Sequence, residues 1–325
     1  MKQNTGPGHK LVYILAASHS GSTLTAMLLG AHRDLVCAGE LKATNLGTAD
    51  SYLCSCKAHI GDCEFWNAIN HRMNARGEVF SIAEAGTDLR TNAGRYERAL
   101  LSPLVRGKFL EHARDLALSM SPGWHRNLSR ILRRNYLLID SLTEETGARA
   151  VVDSSKIGIR LKYLSRIPNL DVKVIWLIRD GRGVCLAYHR PDEFAAARGQ
   201  NLAGKLTESA RDIGQAAREW KRANEEAMNL LSAMSPDSWT RVHYEDLCTH
   251  PEQTLDEIFD FIGVPREGKT LDFKSVPHHV IGNSMRLVED SKIDIDDRWK
   301  EVLTLAQIRH FNKVAGSMNN KLGYS

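Results

Sequence analysis

The feature that most constrains this chain is the stretch 11–32, LVYILAASHSGSTLTAMLLGAH, where an apolar run stops at a small polar loop and a second periodic stretch begins. Leu11 to Ala17 has the length and β-forming composition of one buried strand. Leu24, Met27, Leu28 and Ala31 recur at helical spacing, which predicts a helix with one apolar face. Between the two lies Ser18-His19-Ser20-Gly21-Ser22-Thr23, a row of small side chains and hydroxyls at the point where the helix starts. A helix start carries unpaired N–H groups and the positive end of the helix dipole, and both attract phosphate or sulfate. A loop of the ATP-binding kind needs Gly-x4-Gly-Lys-Ser/Thr, and this one lacks the first glycine and the lysine. The expected ligand is therefore an anion other than ATP.

A chain of 325 residues can bury a full core, and its 42% hydrophobic and 25% charged residues are those of a soluble globular protein. The net charge of +4 is mild and gives no argument for a nucleic-acid partner. No stretch approaches the roughly 20 apolar residues that span a bilayer. Lys2 and Lys10 precede the apolar run as they would in a leader, but the run makes better sense as the first strand of the fold. Six cysteines are too few for a disulfide-built scaffold, so the expected compartment is cytoplasmic.

Leu35 to Ala38 reads as a second strand and ends at Gly39-Glu40-Leu41, which places a carboxylate at the strand end where open α/β sheets bind ligands. Residues 42–66 read mostly as loop, and 81–145 as helical and arginine-rich, with Arg90, Arg95, Arg98, Arg106, Arg114, Arg126, Arg130, Arg133 and Arg134. That insertion is either a solvated helical face or a lid that selects an acidic or carbohydrate acceptor. Ala150-Val151-Val152 is a brief strand that runs into Asp153-Ser154-Ser155-Lys156, and a helical pattern resumes from Ile157. Asp171 to Ile178 is nearly all apolar, as a central parallel strand should be, and ends in Arg179-Asp180-Gly181-Arg182-Gly183, a second anion site. A long helix is expected over 203–234, a last strand over 239–244, and a helix from Pro251 that Gly263 stops. The alternation predicts an α/β fold: a P-loop-like α/β/α arrangement with a central parallel sheet. Its core spans about 10–45 and 148–325, interrupted by a helical insertion at about 64–147.

Cys54-x-Cys56-x2-His59-x3-Cys63 contains metal-ligand residue types, but its spacing differs from the paired Cys-x2-Cys of common zinc sites. A metal, a redox-sensitive pair and small buried thiols capping a loop are the three readings, and the third is the one adopted.

With these motifs in order along the chain, the sequence resembles a sulfotransferase that uses 3′-phosphoadenosine 5′-phosphosulfate (PAPS), of the bacterial type related to carbohydrate and tyrosylprotein sulfotransferases. SHSGSTL resembles that family's 5′-phosphosulfate loop, and VIWLIRDGRGV its 3′-phosphate strand and loop. GEL, VDSSK, the HYEDL-x3-P-x3-L-x2-I-x2-FIG run and the GNSMR loop are further points of likeness. The resemblance implies that Ser20, Gly21, Ser22 and Thr23 hold the phosphosulfate and that Arg179 grips the 3′-phosphate, with Arg182, Ser284 and Arg286 completing the donor site. It also implies Glu40 as general base and Lys156 near the sulfuryl group. Two positions depart from the family pattern: His19 stands where arginine or lysine is common, and Ala187 where a 3′-phosphate serine is expected.

Sulfuryl transfer needs a base for the acceptor hydroxyl and fixed charge on the sulfuryl and the leaving phosphate. Glu40 suits the first task if a poorly solvated crevice raises its pKa, and Lys156, His19 and the loop N–H groups suit the second without a metal. The acceptor is expected to be a glycan, a lipid-linked sugar or a small metabolite bearing a hydroxyl. An ATP-dependent kinase and a non-catalytic anion-binding module are the alternatives.

Overall fold

The computed structural model describes residues 8–42, 46, 52–102, 107–191, 210–282, 287 and 290–325. Five strands, β1 (His9–Ala16), β2 (Leu35–Gly39), β3 (Ala150–Lys156), β4 (Leu170–Ile178) and β5 (Trp239–His243), form one parallel sheet in the order β2-β3-β1-β4-β5. Helix α1 (Ser22–Gly30) follows β1, and α2 (Glu64–Ala75), α3 (Arg95–Leu100), α4 (Lys108–Ser119) and α5 (Pro122–Thr146) lie between β2 and β3. Next come α6 (Gly158–Leu164), α7 (Gly181–His189) and α8 (Ile213–Leu231). The chain closes with α9 (Tyr244–Thr249), α10 (Pro251–Ile262), α11 (Trp299–Val302) and α12 (Leu305–Lys321).

Side chains that alternate along a strand feed two separate cores, which is why the central strands read as unbroken apolar runs. Leu11, Tyr13 and Leu15 of β1 join Val174 and Trp176 of β4 in a core with α5 and α8. Val12 and Ile14 join Ile175 and Leu177 in a core with α1 and α10. Along α10, Leu255, Ile258, Phe259 and Ile262 are all buried at the expected spacing, and Gly263 ends the helix at φ 72.

Three local expectations change. The face opposite Leu24, Met27 and Leu28 on α1 is not solvated: Thr25, Ala26 and Leu29 are fully buried as well, and the helix lies in a core that also takes in strand residues, α10, Phe273 and Val280. Strand β3 continues through Asp153 to Lys156, since Asp153 finds its counter-charge inside the protein. Helix α8 begins at Ile213, where Asp212 and Gln215 form a capping box; 203–209 lie outside the described residues.

No helix among the described residues is long and apolar enough to cross a membrane.

Candidate active site at the C-terminal edge of the sheet

Strand order reverses about β1, so the crevice for a ligand opens where β1, β3 and β4 end. The loop after β1 closes at Gly21, which has φ +89 and leaves α1 without a side-chain cap. A Cβ at this position would run into the Tyr244 ring, so only glycine fits. Without a cap, the N–H groups of the first turn have no acceptor within the helix. Ser20 is 1% exposed, and its Oγ is buried with no hydrogen-bond partner. Burying a hydroxyl unpaired is costly, and an oxyanion at the helix start would supply the missing partner. The loop therefore fits a phosphate or sulfate group.

Glu40 and Lys156, 116 residues apart, meet at the ends of neighbouring strands: Lys156 Nζ donates to Glu40 Oε1 at 2.6 Å. Lys42 Nζ stands 3.4 Å from the other carboxylate oxygen. Burial pushes the Glu40 carboxyl up, but the two lysines outweigh it and hold the pKa below the ordinary value. This corrects the expectation that the crevice raises it; the sequence did not reveal that two cations converge there. Lys156 itself has φ +70, a left-handed conformation uncommon outside glycine, at a register shift between β1 and β3.

The 278–282 segment packs beside this pair. Ile281 N donates to Ala38 O and Glu40 N donates to Ile281 O, an approach that leaves no room for a side chain at Gly39, whose φ is +85.

Asp153, fully buried, organises the same edge from beneath and was not singled out from the sequence. Its Oδ1 accepts the Leu41 N–H at 3.2 Å and the Ser155 N–H at 2.9 Å, while Oδ2 receives Arg160 Nε at 3.2 Å and Nη2 at 3.1 Å. Ser155 Oγ in turn accepts Lys42 N–H, so the Glu40–Lys42 turn is tied to β3 at two points. A carboxylate in an otherwise apolar strand was the available signal, because a charge buried there needs a partner.

Arg179 is near the anion loop but is already engaged. It is 2% exposed, with Nη1 donating to His19 O at 2.8 Å and Nη2 to Asp296 O at 2.6 Å, and the Asp296 carboxylate lies 3.3 Å away. Arg182 pairs with Asp180 of its own loop and donates to Ser325 O at 2.8 Å. Both arginines of the expected second anion site are therefore paired within the protein. The His19 ring meets Tyr188 edge-on at 4.6 Å, while its carbonyl braces Arg179. Ala187 is buried in α7. Ser284 and Arg286 lie outside the described residues.

A cavity of about 280 Å³ lies beside Lys156, with Ser18, Lys42, Arg90, Arg222 and Glu226 also in its wall. Arg90 and Arg114 reach it from the helical insertion. Other arginines of the insertion have structural partners: Arg134 and Arg133 with Glu78, Arg130 with Asn127, and Arg98 with Ala93 O. Arg106 lies outside the described residues. Burial pushes the Glu226 carboxyl above its ordinary value, against the pull of Arg222 and Arg114.

Residues 160–268 match the model of the sulfotransferase family. The fold as a whole is similar to that of the sulfotransferase domain from the curacin biosynthetic pathway, with a TM-score of 0.54 and 18% identity over 98% of this chain and 99% of that one. Part of the chain and its overall fold are thus similar to those of sulfotransferases. Mouse carbohydrate sulfotransferase 5 is 23% identical over 172 residues, which are 48% of this chain and 42% of that protein, so the chain spans less than half the length of this relative. The mouse sulfotransferase SULT7A1, solved with PAP, aligns at a TM-score of 0.44 and 10% identity, covering 96% of this chain and 88% of that one. Of the site described above, the segment matched by the sulfotransferase model contains Arg179 and Arg182; the anion loop, Glu40 and Lys156 precede it.

Proposed function

We propose that the protein transfers a sulfuryl group from PAPS to a hydroxyl of a polar acceptor, with a sugar hydroxyl the first candidate. One arrangement carries this reading: an uncapped helix start with the partnerless hydroxyl of Ser20 lies at the same sheet edge as the Lys156–Glu40 pair, and Ser18 and Lys156 line one cavity.

PAPS supplies the activated sulfuryl group. Ser20, Gly21, Ser22 and Thr23 hold its phosphosulfate through N–H groups and hydroxyls. Arg179 takes the 3′-phosphate by exchanging Asp296 for it, a favourable exchange because a dianionic phosphate is the stronger partner for guanidinium. Arg182 holds the Asp180 turn in shape beneath it. Glu40 accepts the acceptor's proton as the acceptor oxygen attacks sulfur. Lys156 faces the charge that develops at the anion loop, and as it turns there Glu40 loses its nearest cation and gains proton affinity. Fixed cations and N–H groups thus do the charge neutralisation at sulfur, with no metal at the reacting centre. The charged cavity wall, Arg90 and Arg114 from the insertion among it, suits a polyhydroxylated acceptor better than an apolar one. We take the setting to be cytoplasmic, since six cysteines in 325 residues are too few for a disulfide-built scaffold.

Isothermal titration with PAP and with ATP–Mg²⁺, followed by transfer of label from ³⁵S-PAPS to a carbohydrate panel, tests the proposal. PAP binding and a labelled acceptor are expected. Binding of ATP–Mg²⁺ in place of PAP would favour a kinase, and PAP binding without turnover across the panel would favour a binding module.

A further inference from the structure

We infer that Cys54, Cys56, Cys63 and His279 form a structural zinc site that fastens the 278–282 segment beside the end of β2. The ligand atoms of these four residues all lie within 4.8 Å of one another. Cys63 and His279 are nevertheless 216 residues apart in sequence. Cys63 Sγ stands 3.4 Å from His279 Nδ1, Cys54 Sγ 3.9 Å from the same nitrogen, and Cys56 Sγ 3.7 Å from Cys63 Sγ. Tetrahedral zinc, with thiolates at about 2.3 Å and imidazole at about 2.0 Å, separates neighbouring ligand atoms by about 3.5–3.8 Å. Three sulfurs and one imidazole make a closed set with no open position, which is the pattern of a structural site. Soft thiolates select zinc over magnesium or calcium.

The surrounding chain presents these ligands. Cys54 donates its N–H to Ala58 O at 2.9 Å and accepts the Lys57 N–H at 3.0 Å, which closes a tight turn with Lys57 at φ +70. Cys63 immediately precedes α2. The His279 ring stacks on Phe65 at 4.5 Å and 8°, and Trp66 Nε1 donates to His279 O at 3.0 Å, so both the ring plane and the backbone of this ligand are held. Cys56 is exposed and gives the metal a path of entry. His59, the histidine inside the sequence cluster, is exposed and is not part of the group; the fourth ligand comes from the other end of the chain.

Neighbouring hydrogen bonds follow the same seam. Ser55 Oγ donates to His278 O at 2.6 Å and accepts the Val280 N–H at 2.8 Å, and Tyr52 Oη accepts the Gly282 N–H at 2.7 Å. The fastened segment then passes Glu40, where a Cβ on Gly282 would stand 3.0 Å from Glu40 Cγ. The metal would act by position, and the inference does not depend on which reaction the site performs.

Elemental analysis of the full-length protein, purified with reductant and without chelator, tests it. About one zinc per chain is expected, unchanged in His59→Ala and reduced to a small fraction in Cys63→Ser and in His279→Ala. If those variants do not fold, Co²⁺ exchanged into the wild-type protein should show thiolate charge-transfer absorption and the visible bands of a tetrahedral site. No metal after reconstitution with Zn²⁺ would overturn the inference. So would a disulfide among Cys54, Cys56 and Cys63 in the non-reduced protein, or full zinc content in both ligand variants.

Discussion

Lys156 Nζ and Glu40 Oε1 stand 2.6 Å apart, joining the ends of β3 and β2 in one ion pair. The pair makes the two residues one device. While Lys156 holds the carboxylate, with Lys42 on its other oxygen, Glu40 binds a proton weakly. Its strength as a base is therefore set by where Lys156 is, and the proposed chemistry gives Lys156 somewhere else to go.

Replacing Glu40 with Gln is expected to lower kcat by about 10²–10⁴-fold, the usual range for loss of a general base, with PAP affinity unchanged. Label transfer from ³⁵S-PAPS and titration with PAP read the two quantities. If Glu40→Gln keeps wild-type turnover and Glu226→Gln loses it, the base is the cavity-wall carboxyl that burial pushes upward.

Lys156→Met should cost about 10²–10³ in kcat, as removal of one preorganised charge donor does. It also takes away the nearest cation of Glu40, so the Glu40 pKa rises and the acid limb of the kcat/KM profile moves to higher pH. An acid limb that stays in place would show that Glu40 is not the group that titrates in the rate.

Asp296 links the C-terminal segment to Arg179. Burial pushes its carboxyl up, but Arg298 and Arg179 hold it down at about 2. Because the folded-state value lies below the unfolded one near 3.8, the carboxylate stabilises the fold fully above about pH 4 and loses that effect as pH falls through about 2. Asp296→Asn is accordingly expected to lower stability by about 2 kcal/mol at pH 7 and by progressively less toward pH 3. Urea midpoints across that range measure it, and a difference that does not shrink on acidification would refute the assignment. The same variant frees Arg179 and should bind PAP more tightly.

Much of this molecule was legible locally. Leu11 to Ala17 and Asp171 to Ile178 marked strands because burial on both faces makes a short unbroken apolar run, and the Leu255-Ile258-Phe259-Ile262 spacing marked a helix because one buried face imposes a period of 3.6 residues. The helix start at the Ser18–Thr23 loop was legible for a similar reason, since its N–H groups and dipole belong to adjacent residues. The one-faced reading of α1 failed because Ala26 and Leu29 lie in a core assembled from segments as distant as Phe273 and Val280, and Thr25 is buried with them.

The sequence by itself determined an α/β sheet, a turn of small and hydroxyl-bearing residues between its first strand and helix, and a carboxylate and a lysine each at a strand end. Only the tertiary structure decided that Lys156 meets Glu40 and lowers its pKa, that Arg179 is held by Asp296, and that His279 and not His59 joins the three cysteines. The physical reason is common to all three. Periodicity and helix ends are properties of neighbouring residues, whereas a charge pair or a ligand set depends on strand order and on which loop lies over which strand end, and those are settled only when the two cores close.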